Sequence, residues 1–277
     1  MTWLKHILNF YINSSIHVAL SVCSLTWITL IEFQIPFDKP LLFFLFFASI
    51  TGYNFVKYFG IAKFHHRRLA NWLKTIQIFS FFCFLLLCFF AMKLSVKTLL
   101  YILGFGMLTF FYAIPFLPKR FFVDKQQNLR SIGGFKIYLI AFVWSGVTVL
   151  IPLVNNDIQL YADVFITGLQ RYIYVIVLML PFEIRDLRFD NLKLSTIPQK
   201  IGVIKTKIIG LFLLAVMFAL EFFKDDIQLT QVFVLGIILI STLIVVVLAR
   251  IEQGKYYSSF WVEGIPILWL GLLQLFS

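Results

Sequence analysis

Acidic residues are scarce in this chain: Asp and Glu together number 13 in 277 residues, and all charged residues make up 13%. A soluble domain of this size carries about a quarter charged residues, so a soluble globular enzyme is excluded. There is no long polar stretch that would form a separate soluble domain, and no low-complexity tract. The three cysteines, Cys23, Cys83 and Cys88, fall inside apolar runs and read as small apolar fillers, not disulfide partners. The glycines Gly104 and Gly106, and Gly133 with Gly134, make neither a phosphate-cradling loop nor a dinucleotide fingerprint. His65 and His66 point apart on a helix with no cysteine beside them, which argues against zinc, a metal that wants three or four convergent ligands. No hydrolase triad signature is present.

Apolar residues are abundant instead, at 61% of the chain, and the mean hydropathy is +0.92. Apolar runs of roughly 20 residues, the length that crosses a bilayer, recur from end to end. They fall near residues 16–35, 41–58, 72–92, 98–117, 137–154, 164–182, 201–222, 229–249 and 260–275. The expected fold class is an all-α polytopic membrane bundle of about nine transmembrane helices, forming a single integral membrane domain over residues 1–277. One lysine and a short polar stretch precede the first span, with no small-residue cleavage site, so that span reads as a permanent helix.

The net charge of +11 does not point to nucleic acid, because of how it is distributed. With nine spans, the N-terminal segment and the loops after spans 2, 4, 6 and 8 share one side and hold 19 of the 24 Lys and Arg. The opposite loops hold Lys39, Lys93, Lys97 and Lys224, and Arg171 lies within span 6. This asymmetry places the N-terminus and the basic loops in the cytoplasm, and orientation alone accounts for much of the charge. The reading is a multi-pass protein of the cell membrane, bacterial and cytoplasmic (inner), with no nucleic-acid partner and no obligate protein partner.

Orientation does not account for carboxylates in the most basic loop. Glu183, Asp186 and Asp190 stand at i, i+3 and i+7 just after an apolar run, so on a helix they share one face. Holding such groups together at a membrane surface is expensive unless a cation sits among them. A divalent metal bound to a phosphate is a natural candidate.

Two loops on the basic side stand out, near 52–70 and 182–207, and each is followed by about three further helices, so the chain reads as two similar halves. A third loop carries Tyr112, Pro115 and Pro118 before Lys119 and Arg120; its prolines stop the helix and leave the two basic residues at the surface. Glu183, Asp186 and Asp190, followed by Lys193, Thr196, Pro198 and Gly202, resemble the second acidic motif, D-x-x-D-x-x-x-D, of the UbiA-type intramembrane prenyltransferases. Tyr112 with Lys119 and Arg120 is similar to that family's Tyr…Lys-Arg element. The likeness covers nearly the whole chain. It implies a protein that binds a prenyl diphosphate through Mg2+ held between two acidic loops and transfers the prenyl group to an aromatic or lipid acceptor inside the bilayer.

The first family motif, N-D-x-x-D-x-x-x-D, is degenerate here. Aligned on Asn54, the chain has Phe55, Tyr58 and Ala62 where the carboxylates belong, and Glu183 opens the second motif in place of Asp. The resemblance therefore implies Glu183, Asp186 and Asp190 as metal ligands and catalytic residues, and Asn54, Lys119, Arg120 and Lys193 as diphosphate-binding residues; Lys57 and Tyr58 join the diphosphate-binding set by their own position in the motif, not by the resemblance. Lys57, one turn after Asn54, stands in a motif that is normally anionic, so it is expected to contact phosphate directly.

Glu263, just inside the ninth span, is a further catalytic candidate. It would accept a hydrogen bond or proton from the acceptor, unless it pairs with Lys255 or reaches to water. Two other readings stay open: a non-catalytic isoprenoid-binding relative, favoured by the degenerate first loop, and a small-molecule transporter, supported only by many helices and a few intramembrane charges.

Overall fold

The computed structural model describes residues 2–64, 71–113, 134–188 and 196–276, and no strand occurs among them. The helices are α1 (Thr2–Asn13), α2 (Ile16–Glu32), α3 (Lys39–Phe64), α4 (Asn71–Ala91), α5 (Val96–Ala113), α6 (Phe135–Asn155), α7 (Ala162–Asp186), α8 (Ile197–Ile201), α9 (Val203–Glu221), α10 (Leu229–Leu248) and α11 (Tyr257–Phe276). Two are interrupted by π-helical turns, at Gly146–Leu150 in α6 and Tyr257–Val262 at the start of α11.

Among the described residues, α3, α4, α6, α7, α9, α10 and α11 are each long and apolar enough to cross a bilayer. α1 and α2 meet at 56° and qualify only as a bent pair, and the apolar part of α5 is shorter, Val96–Phe111. The described residues thus supply seven spans, or eight with the bent pair, and the expected nine are not all established. The outer surface agrees with a membrane protein. α4 buries Leu73, Ile76 and Cys83 and turns Phe81, Phe82, Phe84, Leu85, Leu86 and Phe89 outward. An apolar surface of that extent is stable in lipid, where every backbone polar group is satisfied inside its own helix.

The main core joins α2, α7, α9, α10 and α11 through Leu25, Tyr174, Val177, Met217, Ile238 and Trp269. Lipid tails are as apolar as these side chains, so close packing holds the helices together more than exclusion of water does. Gly210 on α9 illustrates the requirement: a Cβ there would lie 2.9 Å from Leu180 Cδ1 and 3.3 Å from Val246 Cγ1.

The bundle end remote from the two motif loops is tied by polar side chains. Asp38 accepts a hydrogen bond from Leu41 N at 3.1 Å, capping α3, and another from Asn155 Nδ2 at 2.7 Å. Thr98 donates to Asn155 Oδ1 at 2.9 Å, which brings the start of α5 to the same knot. Arg171 on α7 is 1% exposed. It donates to the Leu25 carbonyl at 2.9 Å and to Thr29 Oγ1 at 3.3 Å, faces Glu32 at 3.8 Å and lies 5.2 Å from the Trp269 ring centroid. This intramembrane charge, a functional candidate by its position in the sequence, fastens α7 to α2.

Removing it strands a buried Glu32 and a carbonyl. Arg171→Leu is expected to destabilise the protein by on the order of 3 kcal/mol, measured as a lowered thermal unfolding midpoint in detergent. An unchanged midpoint would show that the tie contributes nothing.

Candidate functional site

The motif end is organised by a break in the chain between α1 and α2. α1 carries an apolar face with Trp3, Leu4 and Ile7 exposed, as a helix lying in a membrane interface does. At Ser15 the backbone takes φ 64°, the left-handed conformation, and α2 departs at 56° from α1. Three side chains of α3 read this elbow. Asn54, 4% exposed, accepts from Ser15 Oγ at 2.8 Å and donates to the Ser14 carbonyl at 3.0 Å and to Ser80 Oγ at 2.8 Å. Lys57 Nζ donates to Ser15 Oγ at 2.9 Å. Tyr58 donates its hydroxyl to the Asn13 carbonyl at 2.8 Å and packs its ring on Trp72. The residue types of the first motif therefore serve first to lock α1, α2, α3 and α4 together.

The start of α11 closes on the same elbow. His17 is bonded to the Phe260 carbonyl through Nε2 at 2.8 Å and to the Tyr11 hydroxyl through Nδ1 at 2.8 Å. A carbonyl only accepts, so Nε2 carries the proton and Nδ1 of the neutral ring accepts from Tyr11. Ser21 donates to the Glu263 carbonyl. Gly264 leaves the room these contacts need: a Cβ there would lie 2.7 Å from the Phe260 carbonyl oxygen and 3.4 Å from the His17 ring. Lys255 and Tyr256 both donate to Asn9 Oδ1, at 2.6 and 2.9 Å, so Lys255 is occupied by α1.

That leaves the Glu263 carboxylate with no hydrogen bond or ion pair among the described residues. It is half-buried and within Coulombic range of Lys57 and Arg185. Lys57 in turn is exposed by area, has Ser15 as its hydrogen-bond partner, and feels the charge of Glu263.

In the second loop α7 ends at Asp186, so the helical face expected to carry three carboxylates stops there. Glu183 is 2% exposed, and its Oε2 accepts from Ile197 N at 3.3 Å, at the first turn of α8. The rest of that motif shapes the same turn: Thr196 is the N-cap and its N–H donates to Gln199 Oε1 at 3.1 Å, Pro198 lies in the first turn, and Gly202 at φ 81° breaks α8 from α9. Asp186 Oδ1 accepts from Arg185 Nε at 2.9 Å and from a terminal nitrogen of Arg185 at 2.8 Å; its Oδ2 lies 3.6 Å from Lys136 Nζ. The Arg185 guanidinium also lies over Phe182. Asp190, Lys119, Arg120 and Lys193 lie outside the described residues.

Among the described residues, no three His, Cys, Asp or Glu side chains form a metal-holding group. The two described carboxylates of the motif are engaged, Glu183 by a backbone N–H and Asp186 by two cations. Asp190, the third carboxylate of that motif, lies outside the described residues. The structure does bring Glu263 of α11 within Coulombic range of Lys57 of α3 and of Arg185 of α7. The sequence reading did not include Ser15, Tyr11, His17 or Lys136. A Ser-Ser pair between helical runs, and a lone histidine at the head of an apolar run, were the available signals.

No family model matches this chain, and no curated protein matches it. A solved structure of a digeranylgeranylglyceryl phosphate synthase in membranes is similar over 100% of this chain and 97% of its own, with a TM-score of 0.55 and 15% sequence identity. That similarity spans the chain and shows the fold.

The elbow gives a test of Asn54. Asn54→Leu takes the side-chain donor from the Ser14 carbonyl and the acceptor from the Ser15 hydroxyl, and is expected to cost about 1–3 kcal/mol of stability, read from thermal unfolding in detergent. An unchanged midpoint together with weakened diphosphate binding would make Asn54 a ligand-binding residue only.

Proposed function

We propose that this chain, which has the fold of the UbiA-type intramembrane prenyltransferases, transfers a prenyl group from a polyprenyl diphosphate to an aromatic or lipid acceptor within the bilayer. The observation that carries the reading is that Glu263 lies within Coulombic range of both Lys57 and Arg185 at the motif end. The three come from both halves of the chain, and two of them, Lys57 and Glu263, have charges not consumed by an ion pair. A headgroup seated there would leave its apolar tail among the helices. The positive-inside bias supports a cytoplasmic setting for this end, in a bacterial inner membrane.

In the reaction, the bond between prenyl C1 and the diphosphate oxygen breaks and its electron pair leaves with the diphosphate. The acceptor's nucleophilic atom forms the new bond to C1, and its proton moves to the Glu263 carboxylate. Lys57 and Arg185 stabilise the charge that develops on the leaving group, with Lys193 of the second loop and Lys119 and Arg120 of the third as further cations by sequence. Asn54 and Tyr58 hold Lys57 in place through the elbow. Asp186 belongs to the second-loop wall of the seat, Glu183 positions that wall by anchoring α8, and Asp190, from the same motif, is assigned to the headgroup by sequence alone. The Mg2+ that the family resemblance implies has no centre among the described residues, so no step is routed through it.

One observation favours a second reading. The first loop offers Asn54, Phe55, Lys57 and Tyr58 and no carboxylate, which suits a relative that binds an isoprenoid diphosphate without transferring it.

Purified protein given labelled geranylgeranyl diphosphate in lipid with Mg2+ is expected to release pyrophosphate. Glu263→Gln is expected to lower release about 10²- to 10⁴-fold while diphosphate affinity is kept, the size of effect that a positioned base has. Binding without release favours the second reading. Absence of binding overturns both, and unchanged release in Glu263→Gln removes the role of Glu263.

A further inference from the structure

We propose that the first-loop half of the headgroup seat binds phosphate directly on the Lys57 ammonium, with no divalent ion between them, so that a prenyl diphosphate binds this protein in the presence of chelator. The inference rests on the prenyl-diphosphate reading and specifies how the headgroup is held.

Three observations carry it. The first is the donor set on α3. A divalent ion on this side would need oxygen ligands, and carboxylates are the usual ones. The described positions facing the elbow offer Asn54, Lys57 and Tyr58. The amide of Asn54 is already spent on Ser14, Ser15 and Ser80, and the hydroxyl of Tyr58 on Asn13. A divalent ion placed here would meet the Lys57 charge with no carboxylate on the same helix to offset it.

The second is the state of Lys57 itself. An ammonium has three N–H donors, and one of them is engaged, by Ser15 Oγ at 2.9 Å. Ser15 in turn donates to Asn54, so the relay fixes the amine's position before any ligand arrives. Two donors remain for phosphate oxygens. Charge-assisted bonds of this kind are about twice as strong as neutral ones. Glu263 lies within Coulombic range but makes no bond to Lys57. The amine therefore has a balancing charge nearby and no salt bridge to break on binding an anion.

The third is on the facing loop. Asp186 is held by Arg185 at 2.8 Å and by Lys136 at 3.6 Å, and Glu183 accepts the Ile197 N–H. The described second-loop carboxylates thus already have counter-charges or donors from the protein, the role a metal bridge would otherwise fill.

The test uses the full chain in lipid nanodiscs with geranylgeranyl diphosphate as probe, in EDTA and in Mg2+, with geranylgeraniol as the headgroup-free control. Wild type is expected to bind the diphosphate in EDTA within about threefold of its affinity in Mg2+. Lys57→Ala is expected to lose about tenfold or more in EDTA, the loss that goes with one charged hydrogen bond. Lys57→Arg is expected to recover most of that loss, and geranylgeraniol binding is expected to be the same in all three proteins. Equal thermal midpoints for the variants separate loss of the seat from loss of fold.

Diphosphate binding that appears only with Mg2+, or that Lys57→Ala leaves intact in EDTA, overturns the inference while the prenyl-diphosphate reading stands. No diphosphate binding in either buffer overturns that reading and the inference with it.

Discussion

The Asn54 side chain, buried where four helices meet, is the interaction on which the motif end depends. Its oxygen accepts from Ser15, and its two N–H groups go to the Ser14 carbonyl and to Ser80. In a bundle surrounded by lipid an amide without partners costs several kcal/mol, so this geometry admits few alternatives. It sets the angle between α1 and α2, and that elbow positions the rest. Lys57 and Tyr58 reach it from α3, and Tyr11 and His17 carry it to the first turn of α11, where Glu263 is presented.

The two ends of the bundle use charge differently. Away from the motif loops, charges are consumed in pairs. Arg171 is enclosed by Leu25, Thr29, Glu32 and Trp269. Glu221 accepts from Gln170 at 2.8 Å and pairs with Lys224 at 2.8 Å, both side chains almost fully buried. Asp163 accepts the Asp225 N–H. Such groups hold helices in register and have little left for a ligand. At the motif end exposed Lys57 and half-buried Glu263 are within Coulombic range of each other and neither is in an ion pair, which is the arrangement expected where a ligand completes the electrostatics.

Much of this was legible in the residue order, for identifiable reasons. Long apolar runs mark α3, α4, α6, α7, α9, α10 and α11 because bilayer thickness demands about twenty residues per crossing. The second acidic motif and the lone asparagine of the first pointed to the fold. α1 was not legible as a helix, since it is short and separated from α2 by a 56° bend. The role of Asn54 as a knot was hidden because its partners, Ser14, Ser15 and Ser80, are ordinary residues up to 40 positions away. Glu183 looked like a ligand by spacing, and the spacing could not reveal that Ile197 would come to it. Glu263 was legible as an intramembrane charge, but only the structure shows that Lys255, its expected partner by sequence, is taken by Asn9.

The degenerate first motif follows from the same physics. A chain with Phe55, Tyr58 and Ala62 where that motif would carry carboxylates has no acidic ligand there, and it has in Lys57 a cation of its own fixed to the elbow. The most direct measurement of this account is an electron-density map of the full chain with a non-cleavable geranylgeranyl thiolodiphosphate. The account predicts headgroup density between Lys57 and Arg185, with the prenyl chain running between the helices from that point. Headgroup density at the opposite end of the bundle, or in bulk solvent with Lys57 still bound to Ser15 alone, would contradict it.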